Sequence, residues 1–148
     1  MIKSLNDKET MKNWISPNNN IKAELLYRLS RDGEKISKYH QLCDNIRNNL
    51  VIVETENNIT FGCYCTWIWD TTGDDLYSND GFLFNLTKNK KYSNQNLHIH
   101  KGCKDHGPYI YDKFYFNGSM KKCCFCSDEF GESTGNKTIK EVEIYKII

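Results

Sequence analysis

Long apolar runs are missing from this 148-residue chain. No segment approaches the ~18 consecutive apolar residues that a membrane-spanning helix requires. A charge of one sign is missing as well. The 20 Lys and Arg residues nearly balance the 19 Asp and Glu, for a formal net charge of +1. Without a broad basic field there is nothing to hold a polyphosphate backbone, so general nucleic-acid binding is not expected. Proline is scarce, at two residues, and there is no internal repeat and no low-complexity linker. Met1 to Thr10 alternates polar and charged residues without an apolar stretch, so it does not read as a secretory signal. Phosphate-cradling glycine loops and a credible Ser-His-Asp arrangement are also lacking.

Aromatic residues are abundant, at 13%, and recur in short runs with Ile and Leu. The length suits one domain over 1–148, able to bury a core without disulfide or metal staples. A cytoplasmic location is the expectation. There the seven cysteines stay reduced. The Asn-x-Ser/Thr sequons at Asn58, Asn85, Asn117 and Asn136 then escape glycosylation.

Asp7 is placed to cap a short helix, about 7–16, on which Met11, Trp14 and Ile15 share a face. The core should run over about 21–148. Ile36 to Cys43 reads as a second helix, with Ile36, Tyr39 and Cys43 on one side. The period then changes to two. Leu50-Val51-Ile52-Val53 suits a central strand buried on both faces. Asn57-Asn58 suits a turn into Ile59–Thr66, where Phe61, Cys63, Cys65 and Trp67 share one face. Asp70–Gly81 and Lys88–Asn96 read as loops around the alternating strand Phe82–Leu86. Leu97–His100, Tyr109–Tyr111, Phe114–Phe116 and Glu141–Ile147 complete the strand candidates. Many short strands with small helices at the front predict an antiparallel β-sandwich with short peripheral helices. Leu26, Val51, Val53, Phe61, Phe82, Phe84, Val142 and Ile144 are expected to be largely buried.

Five ordered blocks carry a family resemblance. Trp14 leads to Leu25-Leu26-Tyr27-Arg28-Leu29-Ser30-Arg31-Asp32-Gly33 and to Lys38-Tyr39-His40-Gln41-Leu42-Cys43-Asp44. Leu50–Val53 is followed by Phe61-Gly62 and Trp69. Gly81-Phe82-Leu83-Phe84-Asn85-Leu86 is the third block, His106-Gly107-Pro108 the fourth and Glu141-Val142-Glu143-Ile144-Tyr145 the fifth. In order and spacing the chain resembles the TLDc domain of the oxidation-resistance proteins, over roughly Met11 to Ile148. It departs at Leu29, at Tyr39, after Pro108, and over Lys121–Glu129, which has no counterpart. The resemblance implies a β-sandwich without an established catalytic centre. It also implies a link to protection against oxidative stress and, as in several members, association with the vacuolar proton-pumping ATPase.

Four groups of residues could carry chemistry. His98, His100, Cys103 and His106, with Cys123, Cys124 and Cys126 downstream, are zinc-ligand types, but their spacing matches no established finger. The same cysteines could be redox-active. Lys121 and Lys122 would favour a thiolate at Cys123, which with Cys124 is the best thiol candidate. His40 and Cys43 fall three apart on a helix, yet packing of His40 and capping by Asp44 is the preferred reading. Asp70, Asp74, Asp75 and Asp80 form an acidic loop without the EF-hand order.

No catalytic residue, cofactor-binding residue or metal ligand is therefore assigned, and no cofactor is expected. The leading reading is a non-enzymatic protein-interaction module. Its contacts would be the Asp70–Gly81 loop, with Leu76 and Tyr77, and the oppositely charged Lys88–Tyr92 segment. Thiol-based antioxidant action through Cys123 and Cys124 is the alternative, and zinc binding by the His/Cys cluster the third reading.

Overall fold

The computed structural model describes residues 5–92, 97–100 and 104–148. Three helices and eleven strands occur among them: α1 (Leu5–Ile15), β1 (Ala23–Arg28), α2 (Leu29–Asp32), α3 (Ile36–Cys43), β2 (Asn49–Thr55), β3 (Thr60–Cys65), β4 (Asp75–Ser78), β5 (Phe82–Asn85), β6 (Lys90–Tyr92), β7 (Leu97–His100), β8 (His106–Ile110), β9 (Phe114–Asn117), β10 (Lys122–Phe125) and β11 (Gly135–Ile147). All the strand pairings are antiparallel.

The strands form two sheets that share β11. The first runs β1-β11-β2-β3-β5-β6 and the second β4-β7-β8-β9-β10-β11. Gly135–Thr138 of β11 pair with β10; from Ile139 the strand pairs with β2, with an irregularity between Ile139 and Glu141 and with β1 on its other side. One extended segment thus belongs to both layers. The inner faces meet in the main core. Phe61 of the first sheet lies 5.1 Å from the Phe114 ring and 5.2 Å from the Phe125 ring of the second, with Phe130 at 5.0 Å. Such tilted and edge-on contacts are the favoured aromatic geometries.

The apolar run in β2 is buried on both faces, as its lack of alternation predicts. Val51 and Val53 join the inter-sheet core, whereas Leu50 and Ile52 join a second cluster on the outside of the first sheet. Met11 of α1 is buried in that cluster, with Trp14 and Ile15 packed against it and with Phe82, Phe84 and Ile147 beneath. We call this helix-covered side the closed face. Gly62 of β3 is required there: a Cβ would collide with the Val51 carbonyl and come within 2.9 Å of the Phe84 ring.

The Ile36–Cys43 helix has the predicted bounds and buries Ile36, Tyr39 and Cys43. Val51, Val53, Phe61, Phe82, Phe84, Val142 and Ile144 are all buried. Leu26 is only half-buried, and Tyr27 takes the interior position. The cause is a register shift between Leu25 and Tyr27 against β11; an extra residue in a strand reverses which side chains face inward. Tyr27 then donates from its hydroxyl to the Gly33 carbonyl at 2.7 Å. The chain leaves α2 through Gly33, whose φ of 83° suits a residue without Cβ. Asp32 accepts from the Arg28 amide at 2.8 Å. Asp7 lies in the first turn of α1 rather than before it. The two expected loops each contain a strand, β4 within Asp70–Gly81 and β6 within Lys88–Asn96. β10 occupies part of the Lys121–Glu129 segment.

Candidate interaction surface

Among the described residues, no helix lies over the outer side of the second sheet. Alternation places Leu76, Ile99, Ile110, Phe114, Phe116, Cys123 and Phe125 in or against the main core. The residues between them, Asp75, Tyr77, His98, His100, Tyr109, Tyr111, Tyr115 and Cys124, therefore point the other way. Strand register aligns them in two rows. One row is Tyr77–His98–Tyr111. Tyr77 stacks on His98 at 4.4 Å, and His98 on Tyr111 at 4.0 Å. The second row crosses Asp75, His100, Tyr109, Tyr115, Cys124 and Asn136, since Asp75 opposes His100, Tyr109 opposes Tyr115, and Cys124 lies between Tyr115 and Asn136. Tyr109 and Tyr115 stack at 4.4 Å with their planes 11° apart.

Polar contacts tie the rows together. The Asp75 carboxylate accepts from His100 Nδ1 at 2.8 Å and from the Tyr111 hydroxyl at 3.4 Å, with His98 Nε2 at 3.6 Å. Hydrogen bonding from His100 holds the Asp75 carboxyl below its ordinary range. His106, 5.8 Å from the His100 ring, has its pKa lowered, chiefly by burial and then by His100. Tyr77 is 66% exposed and caps one end of the face. We call this the open face.

The residues singled out in the sequence fall in several places. Cys103 lies outside the described residues. His98 and His100 sit on the open face, stacked or bonded as above. Cys123 does not join them: it alternates inward with Phe125, is fully buried, and burial pushes its thiol pKa well up. Its expected activation by Lys121 and Lys122 is thereby overturned, because both lysines are exposed while the sulfur faces the core. Cys124 is half-buried and Cys126 exposed. Among the described residues, no group of three or more His, Cys, Asp or Glu side chains is arranged to hold one metal ion.

His40 spans two elements. Its Nδ1 meets Asp44 Oδ1 at 2.8 Å and its Nε2 meets the His106 carbonyl at 2.8 Å. The ring therefore braces α3 against β8, and no Cys–His dyad forms with Cys43, whose buried thiol is pushed up in pKa. Asp44 is the C-terminal cap residue of α3.

The charged loops also differ from expectation. Asp70 accepts from the Thr72 amide and hydroxyl, while Asp74 and Asp80 are exposed. Lys91 is not a free surface cation. It donates to the Trp14 carbonyl at 3.0 Å and lies 4.4 Å from the Phe82 ring centroid, clamping α1 to the closed face. Asn85 is wholly buried, its amide donating to the Phe130 carbonyl at 3.0 Å, so it is no glycan acceptor in the fold.

The family model of the TLDc domain matches residues 2–148. The chain belongs to the TLDc family. That membership links it to a family of domains related to oxidative stress. No curated protein matches it. In this TLDc domain the strand-alternation signal was already present in the sequence for the open face. The histidines and tyrosines stand out of phase with Ile99, Ile110, Phe114 and Phe116, and a polar-aromatic row can be read from phase just as a core can.

Proposed function

We propose that this TLDc domain is a non-enzymatic interaction and regulatory module. It serves oxidative-stress protection and docks in the cytosol onto subunits of the vacuolar proton-pumping ATPase. The observation that carries this reading is the uncovered outer face of the second sheet, with Tyr77, His98 and Tyr111 in one stacked row. Tyrosine and histidine combine a flat apolar body with a polar edge, the chemistry enriched at protein interfaces. The rings are already ordered by strand register and stacking, so little side-chain freedom is lost on docking. Family membership supports the choice of partner. Exposed Asp74 and Lys90 lie at strand ends on different sheets and would tune encounter more than affinity.

The test is binding of the purified chain to the immobilised peripheral sector of the pump. Wild type should be retained. Tyr77→Ala combined with His98→Ala should weaken binding at least about tenfold, equivalent to about 1.4 kcal/mol. Failure of the wild type to bind removes the pump as partner. Equal binding by wild type and variant removes the open face as the contact.

A further inference from the structure

We propose that Cys124 and Cys126 are a modification site, oxidised by a hydroperoxide to a reversible disulfide at the edge of the open face. This inference stands on the thiol geometry and does not require the interaction reading.

The chain holds two Cys-x-Cys pairs in different surroundings. Cys63 and Cys65 lie on β3 with their sulfurs 3.3 Å apart, and both are wholly buried. Cys124 and Cys126 make the second pair. Cys124 lies directly opposite Tyr115 in the β9–β10 pairing, and burial first and the nearby Cys124 sulfur second push the Cys126 thiol up in pKa. Cys124 also borders a cavity of about 370 Å³ lined by Asn117, Lys122, Asn136, Lys137 and Thr138. A small peroxide can therefore reach Cys124 from solvent and arrive beside Lys122, with Tyr115 on the neighbouring strand and the exposed Cys126 two residues on.

Those groups match the needs of the reaction. Cys124, as thiolate, attacks one oxygen of ROOH. The S–O bond forms, the O–O bond breaks, and the departing RO⁻ takes a proton from water or from a lysine ammonium to become ROH. Lys122 supplies positive charge near that leaving oxygen, while the Lys137 ammonium is held by the Ser133 hydroxyl at 2.7 Å. Tyr115 keeps its proton for donation, because the adjacent Cys124 sulfur pushes its phenol up to about 12. Cys126 then loses its proton and attacks the Cys124 sulfenic acid. The S–S bond forms, the S–O bond breaks, and hydroxide leaves with a proton as water. Two thiols are oxidised by two electrons and one hydroperoxide is reduced to an alcohol and water. A small dithiol reductant reverses the bridge.

Backbone position supports closure. Two residues of extended chain span about 6.5–6.8 Å, the upper end of what a disulfide bridges. Cys126 lies just past the end of β10, in a bend, where the chain departs from the extended form. A bridge made at that limit is exposed and readily reduced, the character of a regulatory disulfide rather than a structural one. By contrast, Cys43, Cys63, Cys65 and Cys123 are buried away from oxidant.

The experiment treats the intact, reduced chain with hydrogen peroxide, alkylates the remaining thiols, and maps the products by mass spectrometry. The expected result is the loss of two thiols per chain as a Cys124–Cys126 bridge, recovered on adding dithiothreitol. Cys126→Ser should leave Cys124 as a sulfenic acid captured by a dione probe. Cys124→Ser should abolish probe capture at residue 126. Tyr115→Phe should slow bridge formation severalfold. A bridge from either residue to any other cysteine, sulfenic acid first at Cys126, or no thiol loss in wild type would overturn the proposal.

Discussion

The two outer faces of this sandwich obey the same alternation and are used in opposite ways. On the closed face the outward Leu50, Ile52, Phe82 and Phe84 of β2 and β5 are large and apolar and α1 lies over them, whereas Glu54, in the same phase of β2, meets Lys140 at 3.6 Å. Leu50, Ile52, Phe82 and Phe84 are consequently as protected from water as the inter-sheet core. On the open face the outward positions are Tyr, His, Asp and Cys, with rings that satisfy one another by stacking and polar edges that remain wet. The comparison teaches that a β-strand's second face is a decision written residue by residue. Apolar outward residues demand a cover, whereas polar-aromatic ones make a cover optional.

The sharpest contrast comes from truncating one ring on each face. Phe84→Ala should lower unfolding free energy by about 3–5 kcal/mol, as removal of a fully buried ring does. Tyr77→Ala should change it by less than about 0.5 kcal/mol, as at an ordinary exposed site. Urea denaturation of both variants measures this, and similar losses at the two positions would erase the distinction between the faces. Next in size is the clamp that holds the cover down. Lys91→Glu should cost about 1.5–3 kcal/mol by losing a charged hydrogen bond to the Trp14 carbonyl. Lys90→Glu should cost less than about 1 kcal/mol, since its ring contact is exposed. Equal stability of the two variants would show that Lys91 does not hold α1.

A smaller effect belongs to the margin of the open face. His106 is held below its ordinary pKa of 6.5 by burial first and by neighbouring histidines second. The unfolded chain therefore binds more protons than the folded one just below that value, and stability should decline as pH falls through about 6.5. His106→Gln should flatten this part of a stability–pH curve. An unchanged slope in the variant would assign the dependence to other groups. Asp75 works in a different window: its carboxyl is depressed in the fold, so its contribution is present above the ordinary carboxylate range and fades only as pH falls below it.

Much of the fold could be read from period and composition. The continuous run at Leu50–Val53 implied burial on both faces, and the helix at Ile36–Cys43 was bounded correctly by its apolar stripe. What escaped reading was created by pairing. Asp75-Leu76-Tyr77-Ser78 has too little β-branched content to read as a strand, and it is one because β7 offers His98 and His100 opposite Tyr77 and Asp75. Lys90-Lys91-Tyr92 becomes a strand only along the edge of β5. Leu26 was misplaced because a bulge cannot be seen in an alternation pattern until the partner strand is known. Cys123 was misread for a related reason. Nearby lysines suggested reactivity, but Phe125 two residues on marks the same inward phase. For the candidate surface, its residue types were visible and their assembly into two rows was not, since that depends on six strands in register.

β11 has a consequence for how the molecule comes into being. It is the last described strand, yet it pairs with β1, β2 and β10 and carries the connection between the two sheets. A ribosome that has delivered everything up to β10 has delivered neither sheet in finished form. The pairings of β11 with β1 and β2 span most of the chain, the arrangement that folds slowly. The nascent polypeptide must therefore hold Phe61, Phe114 and their neighbours out of the inter-sheet core until residue 147 is free. That interval, rather than the finished structure, is when this domain most needs protection from aggregation.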